Sequence, residues 1–181
     1  VAADYGEAEG HIGRCISNRR QEFILASKCG CPPDVSKFEP AERTRYGVPL
    51  PQLHDYSREN IIKTCDQSLR RMKTDYLDVL QFHFSPARNI LEQEKAVQTL
   101  ESLKREGKIR FIGCSSILPN ITDHIKMGVF DVLQVPYSAL QPEHEDVIVA
   151  AARAGVGIVI RGGVAKGPPG KGQGSADLWD L

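Results

Sequence analysis

Short apolar runs alternate along this chain with longer segments in which apolar residues recur every three or four positions. The runs are typical of buried strands, and each leads to a polar residue that can do chemistry, in order Lys28, His83, Ser115, Gln134 and Arg161. If the runs are neighbouring parallel strands, their carboxyl ends bring these side chains to one edge of the sheet. Enzymes built as (β/α) barrels hold their active sites at that edge.

The pattern predicts five strands, at 22–26, 76–82, 109–114, 131–135 and 156–160. It predicts helices at 8–17, 57–71, 90–106, 121–127 and 142–154. Ser57 is suited to cap the second helix, and Gly107 stands where a left-handed residue ends the third.

Strands that alternate with helices indicate right-handed βαβ units and a parallel sheet, so the fold class is α/β. We treat residues 1–181 as a single domain. A closed (β/α)8 barrel needs eight strands and usually at least about 200 residues, whereas a doubly wound open sheet can be built from five strands. The pattern by itself therefore supports a barrel and an open sheet equally.

Composition narrows the classes of partner. Lysine plus arginine number 23, as do aspartate plus glutamate, so there is no basic field for nucleic acid or a membrane surface. No apolar run approaches the ~18 residues of a membrane span, and the first residues lack a signal-peptide pattern. We predict a cytoplasmic protein that binds a small molecule.

The cysteines and histidines predict no metal site. Five cysteines are an odd number, which suits a reducing compartment. Cys29 and Cys31 are separated by one residue instead of two, with no second pair to complete a tetrahedral set. His11, His54, His124 and His144 follow no ligand spacing, and we assign them no role.

Two segments have no helix or strand pattern. The segment from Cys29 to Tyr56 is rich in proline, and loops of more than about 15 residues are usually functional covers or disordered insertions. Both alternatives stay open. The glycine-rich segment from Gly162 to Gly174 is not a Walker loop, because Gly170-Lys171 is followed by Gly172 instead of Ser or Thr.

Several ordered motifs lie at strand ends or beside them: Ala3-Asp4-Tyr5-Gly6-Glu7-Ala8-Glu9, Ala26-Ser27-Lys28, Leu80-Gln81-Phe82-His83, Gly113-Cys114-Ser115-Ser116 and Leu133-Gln134-Val135-Pro136-Tyr137. In this order and spacing they resemble the aldo-keto reductases, and the similarity extends to about Gly167. The resemblance implies a (β/α)8 TIM barrel, incomplete in this chain, and the reduction of an aldehyde or ketone to an alcohol. It also implies a nicotinamide cofactor, NADP(H) in preference to NAD(H).

By this resemblance Tyr5 is the general acid, Lys28 the cation beside it and His83 the residue that orients the carbonyl. A phenol has a reference pKa of about 10, and a neighbouring ammonium stabilises its phenolate and lowers that value. Tyr5 would then protonate the alkoxide that forms at the carbonyl, while a neutral His83 donates a hydrogen bond to the same oxygen.

The resemblance also implies cofactor contacts. Ser115, Ser116 and Gln134 match positions that bind the nicotinamide carboxamide. Arg161 stands where the family often has an aromatic residue, and a guanidinium plane can stack on the ring as well, although a simple exposed arginine fits equally. The backbone at Gly162 either folds over the pyrophosphate or belongs to a flexible tail.

Departures from the family pattern concern the two ends of the chain. The acidic partner of the lysine would fall five residues before Tyr5, ahead of Val1, and the segment that selects NADP would lie beyond Leu181. We therefore expect an internal portion of a longer reductase, truncated at both ends. Its uncovered strand edges would favour self-association. We expect such a portion by itself to bind cofactor weakly and to turn over slowly.

Two alternatives remain beside the reductase hypothesis. A reductase-like interaction or regulatory subunit would keep the scaffold without turnover. An unrelated open-sheet enzyme would show a glycine-rich turn after its first strand, and no G-x-G-x-x-G pattern follows a strand here.

Overall fold

A computed structural model of the protein describes residues 1–2, 5–32, 39 and 53–163. Its strands are β1 (Ala26–Cys29), β2 (Leu77–Phe82), β3 (Ile109–Ser115), β4 (Val132–Pro136) and β5 (Gly157–Arg161). Its helices are α1 (Ala8–Cys15), a 3-10 helix (Ser17–Glu22), α2 (Arg58–Met72), α3 (Arg88–Gln93), α4 (Ala96–Arg105), α5 (Ile121–Met127) and α6 (Glu145–Arg153).

The five strands form one parallel sheet whose spatial order is the chain order, β1-β2-β3-β4-β5. A doubly wound sheet reverses its strand order at a switch point, and this sheet has no reversal among its five strands. Successive βαβ units that always step in the same direction are the pattern of a (β/α) barrel. The sheet is therefore an incomplete barrel, which decides between the two architectures that the sequence left open.

Helices cover one face of the sheet, and the other face forms the barrel interior. The hydrophobic core lies between the sheet and the helices, and its sheet residues include Leu80, Ile112 and Leu133. The opposite face is the barrel interior, where a Cβ at Gly113 would lie only 2.8 Å from Gln81 Cγ. Phe111, on this interior side, is 48% exposed, because the described strands enclose it only in part.

Two predicted elements differ most from the structure. The first strand spans Ala26–Cys29 instead of 22–26, because the ladder starts where the Leu25 carbonyl accepts from the backbone of Asp78 and Val79. The helix predicted at 90–106 is divided into α3 and α4 by Lys95, whose φ of 51° is left-handed and breaks the helix. The left-handed residue predicted at Gly107 is confirmed, with a φ of 77°.

Helix α1 is held against α2 and β1 by one buried carboxylate. Glu9 accepts hydrogen bonds of 2.7 Å from both Ser27 and Ser68, and Arg71 lies 3.3 Å from its second oxygen. Gly13 faces the end of α2, where a Cβ would overlap the backbone of Arg71. The hydrogen bonds of Glu9 hold the start of α1, which follows the short turn that carries Tyr5.

Among the described helices, none combines the length and the apolar character that a membrane-spanning segment needs.

Candidate active site

Three predicted site residues meet at the carboxyl end of the sheet. The Tyr5 hydroxyl lies 3.4 Å from His83 Nε2, and Lys28 Nζ lies 5.2 Å from the centre of the Tyr5 ring. Lys28 and His83 are each only 6% exposed, whereas Tyr5 is 42% exposed. A phenol, an ammonium and an imidazole therefore surround one point, and the phenol forms the solvent side.

Lys28 reaches this point from the middle of β1. Its Cα is in register with Gln81 of β2, and because that row faces the barrel interior, the side chain runs up inside the sheet. Its ammonium donates to the Val1 carbonyl at 3.3 Å. A cation fixed in this way beside the Tyr5 ring stabilises negative charge on the phenol oxygen.

The backbone of His83 is anchored on both sides. Its N–H donates to the Cys29 carbonyl at 3.0 Å, which extends the β1–β2 ladder by one residue. The Tyr56 hydroxyl donates to its carbonyl. These two hydrogen bonds fix the backbone of His83 at the edge of the sheet, which keeps its ring near Tyr5.

Burial keeps the His83 imidazole neutral. It lowers the pKa of His83 to about 2, and the Lys28 ammonium acts in the same direction. The Cys31 sulfur lies 2.8 Å from Nδ1, on the side of the ring opposite the Tyr5 contact. When the thiol donates to Nδ1, the ring proton is on Nε2 and faces the Tyr5 hydroxyl.

Tyr56 is a second tyrosine at this edge, and the sequence analysis gave it no role. Burial raises the pKa of its phenol far above the usual value, so it remains a donor to the His83 carbonyl. Its ring lies against Gly30, where a Cβ would overlap it. Tyr56 therefore positions His83, and its only sequence signal is a tyrosine at the end of a proline-rich segment.

Ser115 and Gln134 end up side by side on neighbouring strands. Their Cα atoms are register partners between β3 and β4, so both side chains extend from the same face of the sheet. A hydroxyl and an amide together offer the donors and acceptors that a carboxamide needs.

Ser116 is turned away from that face. Its hydroxyl is fully buried and donates to His124 Nδ1 at 2.6 Å, since His124 Nε2 donates to the Pro86 carbonyl at 2.8 Å. The two serines that the motif placed together thus have different surroundings.

Arg161 is the last residue of β5, and Gly162 follows it at the same edge. Burial lowers the pKa of the Arg161 guanidinium, and the nearby Tyr5 acts in the opposite sense. Gly162 has a left-handed φ of 69°, and no atom lies within 4 Å of the position of a Cβ. Residues 164–181, which include most of the glycine-rich segment, lie outside the described residues.

His54 also lies at this edge, although the sequence analysis assigned it no role. Its Nε2 is 3.6 Å from the Cys31 sulfur, and its ring is 5.5 Å from that of His83, centre to centre. Residues 33–38 and 40–52, which make up most of the predicted loop, lie outside the described part of the chain.

A separate concavity opens at the amino ends of β3 and β4. It is lined by residues such as Phe111, Phe130 and Val132 and is partly apolar. Because Tyr5, Lys28 and His83 gather at the opposite ends of the strands, this concavity is not part of the candidate active site.

Comparison with known proteins identifies the family. Residues 1–170 match the model of the Aldo/keto reductase family. The chain belongs to this family. Its curated relatives include an uncharacterized oxidoreductase, YqkF, of Bacillus subtilis (strain 168), which is 31% identical over 165 residues that cover 91% of this chain and 49% of the relative.

A second relative and a solved structure give the same family. The NADH-specific methylglyoxal reductase of Escherichia coli (strain K12) is 27% identical, over 87% of this chain and 48% of its own length. The holo form of an aldo-keto reductase from Bacillus halodurans superimposes with a TM-score of 0.73 and 30% identity, over 95% of this chain and 56% of that one. The chain thus spans about half the length of the curated relatives that it matches.

Proposed function

We propose that the protein reduces an aldehyde or ketone to an alcohol, with Tyr5 as the general acid. The observation that supports this most is the approach of the Tyr5 hydroxyl to His83 Nε2, at 3.4 Å, beside the Lys28 ammonium. Family membership supports carbonyl reduction in general. A phenol, an ammonium and an imidazole are the groups that such a reaction needs around a carbonyl oxygen.

Each residue has a separate task in the proposed reaction. His83 Nε2–H donates to the carbonyl oxygen and orients it, and the Tyr5 hydroxyl transfers its proton to that oxygen as it becomes an alkoxide. Lys28 stabilises the phenolate that remains. A nicotinamide cofactor supplies the hydride when it is bound.

The residues at the carboxyl end also fit such a cofactor. Ser115 and Gln134 offer a hydroxyl and an amide in register, which suits a carboxamide. The Arg161 guanidinium can stack on a planar ring, and the open space at Gly162 lets backbone approach a pyrophosphate. For Ser116 we propose an indirect role through His124, because its hydroxyl is engaged there.

The choice between cofactors is the finer part of the proposal. We propose NADP(H) in preference to NAD(H), as the family resemblance implies, although one relative is named as NADH-specific. Turnover measured with NADPH and with NADH separates the two, and faster turnover with NADH would reverse the preference.

We also propose that the chain by itself self-associates. Strands β1 and β5 each have a single hydrogen-bonded neighbour in the described sheet, and Val159 and Ile160 of β5 are 45% and 44% exposed. Open strand edges with apolar side chains favour pairing between copies.

The central test is Tyr5→Phe in the whole protein. Loss of the hydroxyl removes the proton donor, so kcat for aldehyde reduction should fall by about 100-fold to 10,000-fold. Cofactor binding, followed by nicotinamide fluorescence, should stay nearly unchanged, because Tyr5 acts on the carbonyl.

Tyr76→Phe is the matched control. Tyr76 also loses only a hydroxyl, which bonds to Gln21 at the amino end of the sheet, far from the candidate active site. Unchanged turnover in Tyr5→Phe would place the acid elsewhere. An equal loss in both variants would mean that the effect is not specific to the site.

A further inference from the structure

Three side chains with metal-ligating atoms converge at the Nδ1 side of the His83 ring, and His83 is one of them. The Nε2 side of the same ring faces Tyr5. The ligating atoms of Cys31, His54 and His83 all lie within 4.8 Å of one another. The Cys31 sulfur is central, at 2.8 Å from His83 Nδ1 and 3.6 Å from His54 Nε2. Two of these residues are buried, and His54 is partly exposed and gives solvent access.

The fold holds the three residues in place through backbone contacts. The Asn60 amide donates to the carbonyls of Cys31 and Asp55, at 3.2 Å and 2.7 Å, which joins the segments that carry Cys31 and His54. Asp55 N–H donates to the Gly30 carbonyl at 2.8 Å. Ligands on a fixed scaffold need little reorganisation to bind an ion.

The neighbouring thiol takes no part in this cluster. Cys29 is fully buried in the hydrophobic core on the helix side, and burial raises the pKa of its thiol well above the usual value. Of the pair Cys29-Gly-Cys31, only Cys31 therefore belongs to the cluster.

We propose that Cys31, His54 and His83 form a binding site for a zinc-class divalent cation. One thiolate and two imidazoles are a ligand set that such ions prefer, and three protein ligands leave one position for water. Tetrahedral bonds of about 2.3 Å to sulfur and about 2.0 Å to nitrogen put S and N about 3.5 Å apart. The separation of Cys31 from His54 already matches that value, whereas the Cys31 sulfur and His83 Nδ1 are closer together and would have to separate slightly.

Binding is a simple exchange of a proton for the ion. The Cys31 S–H bond breaks, a sulfur–metal bond forms and one proton passes to solvent, with no change of oxidation state. The thiolate cancels one of the two metal charges, which limits repulsion from Lys28.

The ion would also affect the candidate acid–base site, a consequence that rests on the proposed function. A metal at Nδ1 requires the ring proton to stay on Nε2, the atom that faces the Tyr5 hydroxyl. The occupied site would therefore keep His83 as the donor that the proposed reaction needs.

Cobalt spectroscopy tests the site without any turnover. Co²⁺ titrated into the reduced, chelator-treated protein should bind with a stoichiometry of one. The bound ion should show a thiolate-to-cobalt charge-transfer band and the visible bands of tetrahedral cobalt, and both should disappear when Zn²⁺ displaces it. Cys31→Ser should abolish the charge-transfer band. His54→Asn, a change at a partly exposed residue, should weaken cobalt binding by more than the roughly 100-fold that loss of an outer-shell partner costs.

Two controls match these variants. Cys15→Ser removes the exposed thiol and His11→Asn an exposed imidazole, and both should bind cobalt as the parent does. No charge-transfer band, or a band that persists in Cys31→Ser, overturns the proposal and leaves a hydrogen-bonded cluster only. Because the assay needs neither cofactor nor carbonyl, failure of the reductase hypothesis would not affect its result.

Discussion

The two ends of the parallel sheet both carry buried polar groups, but with different geometry. At the amino end, Asp78 lies 2.7 Å from Arg20 and 2.9 Å from Arg110, and it accepts from the Leu25 N–H at 2.8 Å. At the carboxyl end, Tyr5 and His83 are 3.4 Å apart.

At the amino end, the two arginines neutralise the charge of the buried Asp78 carboxylate at short range. Burial acts to raise the pKa of Asp78, but the Leu25 N–H and the Arg20 guanidinium outweigh it and keep that pKa below its usual value. The contact between the Tyr5 hydroxyl and His83 Nε2 is longer, and two polar groups at that separation can both reach one substrate oxygen beside them. We infer that polar residues at the amino end stabilise the fold, and that those at the carboxyl end serve chemistry.

The largest expected effect is on stability, from Arg20→Met. It would leave Asp78 buried without its shortest ion pair, and breaking a buried pair in this way typically costs about 3–5 kcal/mol. Urea unfolding measures the loss. Arg19→Met, a neighbour whose side chain is exposed and pairs with Glu22 at the surface, should cost less than about 1 kcal/mol. Similar losses in the two variants would contradict a structural role specific to the amino end.

The next effect is on activity, from Lys28→Met. Without the ammonium the Tyr5 phenolate loses its stabilisation, so kcat should fall by about 100-fold or more. The free energy of unfolding should change little, because an apolar side chain often replaces a buried charge without loss. Lys104→Met, which removes a partly exposed lysine paired with Asp131, should leave kcat unchanged. A Lys28→Met variant that loses stability but keeps its kcat would contradict the inference that polar residues at the carboxyl end serve chemistry.

The smallest effect is a pH dependence of stability that passes through His124. Burial lowers the pKa of His124, partly offset by its hydrogen bond to Pro86 and by Asp123. The unfolded state, with a histidine pKa of about 6.5, therefore binds more protons, and stability is lost as the pH falls below that value.

The unfolding free energy should thus drop by up to about 1.4 kcal/mol per pH unit from this histidine. Urea unfolding at about pH 7.5 and about pH 5.5 measures the drop, which should be smaller in His124→Gln and unchanged in His11→Gln. Equal pH dependence in the parent and in His124→Gln would show that other groups cause it.

Local patterns predicted much of the fold. Helix α5 was predicted with the observed bounds, and Ser57 caps α2 as expected, since its hydroxyl accepts from the Asn60 N–H. Such features depend on residues three or four positions apart, which a periodicity detects. The break at Lys95 was missed because a left-handed lysine has no sequence signature.

The candidate site was predicted in part. The motifs around Tyr5, Lys28 and His83 were found through their resemblance to a family, and their roles remain proposals. Tyr56 and His54 were missed, because each acts through a partner more than twenty positions away in the sequence.

The sequence by itself determined the alternation of strands and helices, because that alternation follows from local hydrophobic periodicity. Only the tertiary structure decided the sequential strand order, which separates an incomplete barrel from an open sheet. It alone brought Cys31, His54 and His83 together, and it divided Cys29 from Cys31. These relations depend on which strands pair and which way each side chain points, and neither is recorded in the spacing of residues along the chain.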